Sequence, residues 1–518
     1  MAESRVQKSL LNAKVNLVFY VLTLALTFFS RKIFLDCLGA DFVGLSGVLQ
    51  NLLAFLNLAE LGVGAAIGYV LYKPLFDHDE RRICEIISVF GFLYRRIGLI
   101  ILALGLLLAC FLPLIFPKTG FETGVVYAVY SAFLASSLIG YFCNYKQTLL
   151  GADQRNYVVT AYFQSAAIVK TLIQMACALH TGNYYLWAAI ELAFGIIYSF
   201  ILNWKVNQTY PWLKSDVRQG RSLLRQYPIV VRKAKQLFVH QLSLSVQFQT
   251  APFLVYSFVS LHVVACYGNY TIITNKITIL LNTFLGSTGA GIGNLIAEGN
   301  PVKIQGVFWE LISLRIVISS VVCYALYQLM PPFICLWLGR SYILPDIVLF
   351  LIVIDLFIRI TTGSITPFVY GYGIFWDVWA PIVQSVVYIA AAILGGYFWG
   401  LPGVLSGSIA GLLASIVLWK PFLLFHWGFK RSVLVYWRGM FLHMLCVAAA
   451  YTGAQFLLSF GEFHPEDSFG NWILYATVLT STFALLLIGI MYCALPSMRQ
   501  LVDRLSHSPT NHCKTFYK

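Results

Sequence analysis

Charge is scarce in this chain. Only 11% of its 518 residues are Asp, Glu, Lys or Arg, whereas a soluble protein carries roughly 25%. No polar stretch is long enough to fold as a separate water-soluble domain, the longest being the run from Asn203 to Gln236. Catalytic signatures are missing too: there is no Walker A loop, no GxSxG and no HExxH. Asp36 and Asp41, in an early loop, are the one pointer toward a membrane glycosyltransferase, and such enzymes carry larger loops or domains than any found here. The reading is therefore of a protein that is not an enzyme. The eleven cysteines are scattered with no CxxC or Cys/His spacing, so neither a metal site nor a disulfide framework is legible and no cofactor is implied.

Apolar residues are plentiful: 59% of the chain, with a mean hydropathy of +0.77. They fall into stretches near twenty residues, the length that crosses a hydrocarbon core of ~30 Å as a helix. About fourteen spans are expected, near 14–30, 42–71, 97–116, 124–143, 157–179, 185–203, 237–258, 262–293, 306–327, 346–369, 377–398, 402–424, 439–460 and 472–495. The fold class is all-α and integral to the membrane. With the N-terminus inside, the inner segments hold 27 Lys and Arg. The outer ones hold four (Arg31, Lys32, Lys118 and Arg340), and four more (Lys170, Lys276, Arg315 and Arg359) lie within spans. Such asymmetry follows the positive-inside rule and places both termini in the cytoplasm. The net charge of +14 is then topology and contact with anionic membrane lipid, not nucleic-acid binding. Met1 to Lys14 is short and polar, and no small-residue cleavage site follows the first span, so that span reads as an uncleaved helix.

The halves echo one another. GAAIG (Gly64 to Gly68) recurs as GAGIG (Gly289 to Gly293), FQSAAI (Phe163 to Ile168) as VQSVVY (Val383 to Tyr388), and Trp204-Lys205 as Trp419-Lys420, at offsets of 225, 220 and 215. Gly151 matches Gly371. Three matches in order predict two parallel six-helix lobes, a transporter arrangement, plus two C-terminal helices. The boundaries are an N-lobe over 1–205, a basic cytoplasmic linker over 206–236, a C-lobe over 237–425, and the last two spans with a tail over 426–518. Residues 240–250 (HQLSLSVQFQT) alternate polar and apolar. An open strand in lipid would leave its backbone unpaired, so this reads as a helix with polar residues on two faces, bent at Pro252.

Polar stripes run inside several spans. Ser46, Gln50, Asn57, Glu60, Gly64 and Gly68 of span two share one helical face. Thr160, Gln164, Ala167, Thr171 and Gln174 form a second stripe with Lys170 at its edge. Thr271, Asn275, Thr278 and Asn282 form a third, with Lys276 pointing away toward Thr283 and Ser287. These are either helix-to-helix hydrogen-bonding faces, with Gly64 and Gly68 packing closely, or the walls of a hydrated cavity. Charges deep in a span cost ~2.5–3.5 kcal/mol on insertion scales. Lys170 and Lys276 therefore read either as a cationic surface for an anionic substrate or as buried pairs with an acid such as Glu60 or Glu191. Asp355 and Arg359, four apart on one helix, are placed to neutralise each other, Arg315 to snorkel, and Arg31 and Lys32 to anchor a helix end or rim the substrate path.

The chain resembles the polysaccharide transporter family, the Wzx-type flippases of the MOP exporter superfamily. The resemblance rests on LGADFVGLSG (Leu38 to Gly47), NLAELGVGAAIGYVLYKPL (Asn57 to Leu75), YGNY (Tyr267 to Tyr270), GIGN (Gly291 to Asn294), LWLG (Leu336 to Gly339) and WKP (Trp419 to Pro421), and covers about 1–430. It implies a MOP/MATE-like fold in a bacterial cytoplasmic membrane, O-antigen, capsule or exopolysaccharide biosynthesis, and a substrate that is an undecaprenyl-diphosphate-linked oligosaccharide. The headgroup would pass from the inner to the outer leaflet by alternating access, the protein working as a monomer, beside a polysaccharide polymerase and chain-length machinery. On this view Arg31, Lys170, Lys276, Gln164, Asn275 and Asn282 contact the headgroup, Tyr162 and Tyr267 stack on sugars or anchor at the interface, and Glu60, Asp355 and Arg359 are candidate ion-coupling groups. Relatives often have an acid in span seven where this chain has Gln247 and Gln249, which weakens carboxylate coupling there. The competing readings are a MATE-type drug or cation antiporter, which needs acids in its cavity, and a lipid II flippase, which differs in the glycan carried.

Overall fold

The computed structural model describes residues 5–60, 63–117, 119–228, 230, 232, 246, 249–286, 288–374, 376–377 and 379–506. Among them there is no strand, and ten helices are long and apolar enough to cross a membrane. The chain is a multi-pass membrane protein. Each expected span falls on a helix. The seventh does so only over residues 249–258, because most of the polar run at 240–250, Gln247 included, lies outside the described residues, as do Lys118 and Ser287.

The chain divides into two compact units, Met1–Ala265 and Cys266–Lys518. In the first, α1 (Arg5–Leu38) packs along α6 (Asn156–Thr181), and α5 (Thr123–Ala152) packs against both α4 (Glu80–Ile115) and α7 (Tyr184–Thr209). Helix α4 begins well before its apolar span because Asp79 caps it, accepting from the Arg82 amide at 3.0 Å. Helices α6 and α7 form an antiparallel hairpin closed by two residues. Gly182 takes the left-handed conformation (φ 59°) that ends α6, and the Asn183 side chain accepts from the Tyr185 and Leu186 amides to start α7.

Span two is not one helix, which corrects the single-face stripe expected there. It runs as α2 (Ala40–Leu56), tightens into a 3₁₀ turn over Asn57–Glu60, and resumes as α3 (Val63–Phe76). Glycine at 64 weakens the helix at this point. Along the span Ser46 Oγ donates to the Val43 carbonyl, Gln50 is exposed, and Asn57 Oδ1 accepts from Ser137. Among the described residues, Gly64 and Gly68 make no tight helix crossing either. A methyl at Gly68 would meet nothing within 4 Å, and one at Gly64 only the Tyr94 hydroxyl at 3.7 Å.

The second unit repeats this break. Its α9 (Leu261–Leu285, which starts a few residues before the unit boundary) gives way to α10 (Thr288–Ala297), the helix that carries GAGIG. Counting the helix over residues 249–258 as α8, there then follow α11 (Pro301–Leu338), α12 (Asp346–Gly371), α13 (Trp379–Trp399), α14 (Leu401–Gly428), α15 (Leu434–Leu458) and α16 (Phe469–Ala494). A short helix absent from the sequence reading, α17 (Pro496–Ser506), folds back on α11. Arg315 does not snorkel. It is 7% exposed and donates to the Ile360 carbonyl at 3.0 Å and the Leu285 carbonyl at 3.5 Å, so it ties the ends of two helical stretches where α12 kinks at Gly363. A side chain at 363 would strike the guanidinium.

Candidate functional site

A cavity of 610 Å³ lies wholly within the first unit. Helix α6 forms one wall through Asn156, Val159, Thr160, Phe163, Gln164, Ala166, Ala167 and Lys170. This spacing of three and four keeps one helical face to the cavity over about 21 Å. Across from it stand Ser136, Ser137, Gly140, Tyr141, Asn144 and Gln147 of α5 and Glu191, Phe194, Gly195 and Tyr198 of α7. The hollow exists because small residues (Ala166, Ala167, Ser136, Ser137, Gly140 and Gly195) meet where larger ones would fill it. Gly195 lies so close to Ser136 that a methyl there would run into the serine side chain.

Three charged side chains are built into the walls. Glu60, turned inward at the end of the 3₁₀ segment, accepts from the Tyr94 hydroxyl on Oε1 and from the Tyr141 hydroxyl at 2.7 Å on Oε2. Both tyrosines are buried. Lys170 donates to Glu191 Oε1 at 2.7 Å, and Glu191 Oε2 accepts from Gln174 Nε2 at 3.1 Å. The α6–α7 turn sets this register, since Gln174 and Glu191 stand equally far from it on the two arms. Neutral amides and hydroxyls cover the rest: Ser199 Oγ donates to Asn144 Oδ1 at 2.6 Å, and the Tyr198 hydroxyl donates to Gln147 Oε1 at 3.4 Å. Chemically the cavity offers hydrogen-bond donors and acceptors on all sides, aromatic faces at Phe163 and Phe194, one cation and two carboxylates.

The residues singled out in the sequence divide. Lys170, Gln164 and Glu60 line this cavity together. Arg31 does not; it donates to the Ala265 carbonyl at 2.8 Å. Lys32 faces Asp36 at 3.9 Å, both half exposed. Lys276 is half-buried on α9, while Asn275 and Asn282 on that helix are exposed. The hydroxyls of Thr271 and Thr278 bond to carbonyls of their own helix. In the second unit Arg359 clasps Asp355 through Nε at 2.6 Å and Nη2 at 3.3 Å, and Ser408 Oγ donates to Asp355 Oδ1 at 2.6 Å. Tyr162 and Tyr267 are half-buried and line no part of the cavity. The sequence reading missed Tyr94, Tyr141, Asn156, Gln147 and Tyr198. Only their tertiary neighbours distinguish them from other polar residues at span ends. It also missed a buried ion pair, Lys420 Nζ to Asp377 Oδ2 at 2.5 Å, within the WKP motif.

Neither a known family model nor a curated protein matches the sequence. Solved structures do match in fold. Lipid II flippase MurJ in an inward closed conformation gives a TM-score of 0.63 at 14% identity, covering 95% of this chain and 100% of that one. An inward-facing multidrug resistance transporter of the MATE family, in the MOP superfamily, gives 0.56 at 16% identity, covering 79% and 97%. A MATE structure in the bent conformation gives 0.50 at 13%, covering 82% and 97%. The chain shares its fold with these proteins.

Proposed function

We propose that the protein is a flippase that carries a polyprenyl-diphosphate-linked oligosaccharide from the inner to the outer leaflet of a bacterial cytoplasmic membrane, with both termini inside. The carrying observation is the first-unit cavity. Amides, hydroxyls, aromatic faces and an ion pair surround it, a lining that suits a polyhydroxylated headgroup, which cannot cross hydrocarbon unaided. Lys170 is the group placed to meet the diphosphate, and Gln164, Asn156 and Gln147 are placed to meet sugar hydroxyls. The match in length supports the same reading, because the flippase structure parallels 95% of this chain and the first MATE structure only 79%. Arg31, Lys276, Asn275 and Asn282 would then serve outside this cavity, and Glu60, Asp355 and Arg359 remain the candidates for ion coupling.

A MATE-type cation exporter is the second reading. It draws on the formal charge of the cavity, where Glu60 and Glu191 outnumber Lys170. Deletion of the gene in its native host, followed by leaflet-resolved analysis of polyprenyl-linked glycans, separates the two. The flippase reading expects complete repeat units to accumulate facing the cytoplasm, cleared by the wild-type gene but not by Lys170→Ala. Normal arrival at the outer face, with loss of resistance to cationic drugs, would move the exporter to the front.

A further inference from the structure

The cavity's cation is already occupied by the protein itself. Lys170 and Glu191 both face the cavity, with side chains 24% and 13% exposed, and their charged atoms are 2.7 Å apart. The two partners are held differently. Glu191 is moored a second time through Gln174, which is 2% exposed and whose amide nitrogen donates both to Glu191 Oε2 and to the Trp187 carbonyl at 3.3 Å. Lys170 hangs on a flexible four-carbon stem. The remaining carboxylate, Glu60, is engaged by Tyr94 and Tyr141.

Resting on the flippase reading, we propose that Glu191 is a resident competitor for Lys170. It neutralises the ammonium in the empty cavity, yields it to the diphosphate of the arriving headgroup, and reclaims it to release that headgroup on the other side. An ammonium left bare in a partly buried site is strongly unfavourable, so the empty state needs a counter-anion. A fixed, unmatched cation would hold a diphosphate through several charge-assisted hydrogen bonds and let go slowly. Exchanging one oxyanion for another keeps the difference between the two states small, so that binding is strong enough to load and weak enough to unload. Gln174 makes the exchange possible, since it keeps Glu191 hydrogen-bonded and in place while Lys170 turns to the ligand. Glu191 thus acts as a positioning residue that also sets the class of ligand admitted: an oxyanion must outbid a carboxylate, which phosphate groups do and neutral sugars do not.

The test uses the full chain in nanodiscs with undecaprenyl diphosphate as the probe, alongside flipping assays in proteoliposomes. Glu191→Gln keeps the shape and the bond to Gln174 but drops the charge. It is expected to tighten binding about tenfold while slowing turnover, opposite movements that a merely structural pair would not produce. Lys170→Ala is expected to lose binding, and the double variant to behave like Lys170→Ala alone. Glu191→Asp, which keeps the charge on a shorter arm, is expected to fall between wild type and Glu191→Gln, and it carries the test if Glu191→Gln does not fold. Unchanged or weaker binding in Glu191→Gln, with the wild type still binding, would overturn the competitor role alone. If wild type and variant both ignore undecaprenyl diphosphate yet bind tetraphenylphosphonium, the flippase reading itself falls.

Discussion

Two helical hairpins, paired by the sequence echo at an offset of 220, are built on opposite principles. In the first unit α6 and α7 meet at a two-residue turn and part around the cavity. In the second, α13 and α14 meet at Gly400 (φ 61°) and close on each other along their length. Gly403 faces Gly395, Gly407 faces Ala392 and Gly411 faces Tyr388. A methyl on Gly407 would come within 2.6 Å of the Ala392 Cα, and one on Gly411 within 2.9 Å of the Gln384 carbonyl. The repeat offset of 220 sets Lys170 against Ala390 and Glu191 against Gly411. Backbones in lipid approach this closely only over small residues. Glycine closes the second hairpin into a tight seam, whereas in the first an ion pair between α6 and α7, with small residues on α5, α6 and α7, leaves a hollow. Trp204-Lys205 and Trp419-Lys420 diverge in the same way. Lys205 reaches Gln208 at 2.8 Å at the surface, whereas Lys420 is buried against Asp377.

The contrast can be broken by substitution. The largest effect is expected at the buried pair. Asp377→Asn leaves Lys420 buried without its counter-charge and should cost about 3–5 kcal/mol, read as a loss of thermal stability in detergent. Next comes Gly403→Val, where overpacking a backbone crossing costs about 3 kcal/mol; a stable, unaltered variant would show that the seam is not tight. Gln384→Ala and Gln164→Ala, at matching repeat positions, should separate cleanly. The first removes a buried amide and costs about 1–3 kcal/mol with transport per folded molecule unchanged. The second should change stability by less than about 0.5 kcal/mol yet slow transport several-fold in proteoliposomes, and equal effects at the two sites would erase the distinction. The smallest effect belongs to Lys205→Gln, within about 0.5 kcal/mol of wild type by denaturant titration.

The sequence carries the helices well and their partners poorly. Span positions follow from hydrocarbon thickness, a property of each stretch alone, and so Leu11–Leu38 or Phe469–Ala494 can be read directly. The break after Leu56 is harder, because Glu60 is drawn inward by tyrosines 34 and 81 residues away. Periodicity alone sets Lys170 at the edge of the stripe that runs from Thr160 to Gln174. The face that counts is set by where α5 and α7 stand, and it includes Lys170 while Gln174 turns to bond Glu191 and the Trp187 carbonyl. Glu191 was legible only as one of two acids that might meet that lysine, since helical periodicity gives a residue's face but not its neighbour.

The last described helix has a consequence for how the chain is made. Glu310 on α11 is 4% exposed, and its carboxylate accepts from Arg504 at 3.1 Å, a partner encoded 194 residues later. Beside it, Ser313 Oγ meets His443 Nε2 at 2.9 Å and Ser497 Oγ at 2.8 Å. At ~5–20 residues per second, ribosomes deliver Arg504 on the order of 10–40 s after Glu310. For that interval Glu310 has been made and Arg504, the cation it accepts from, has not. The contact of α17 with α11 can therefore close only after residue 504 has been made.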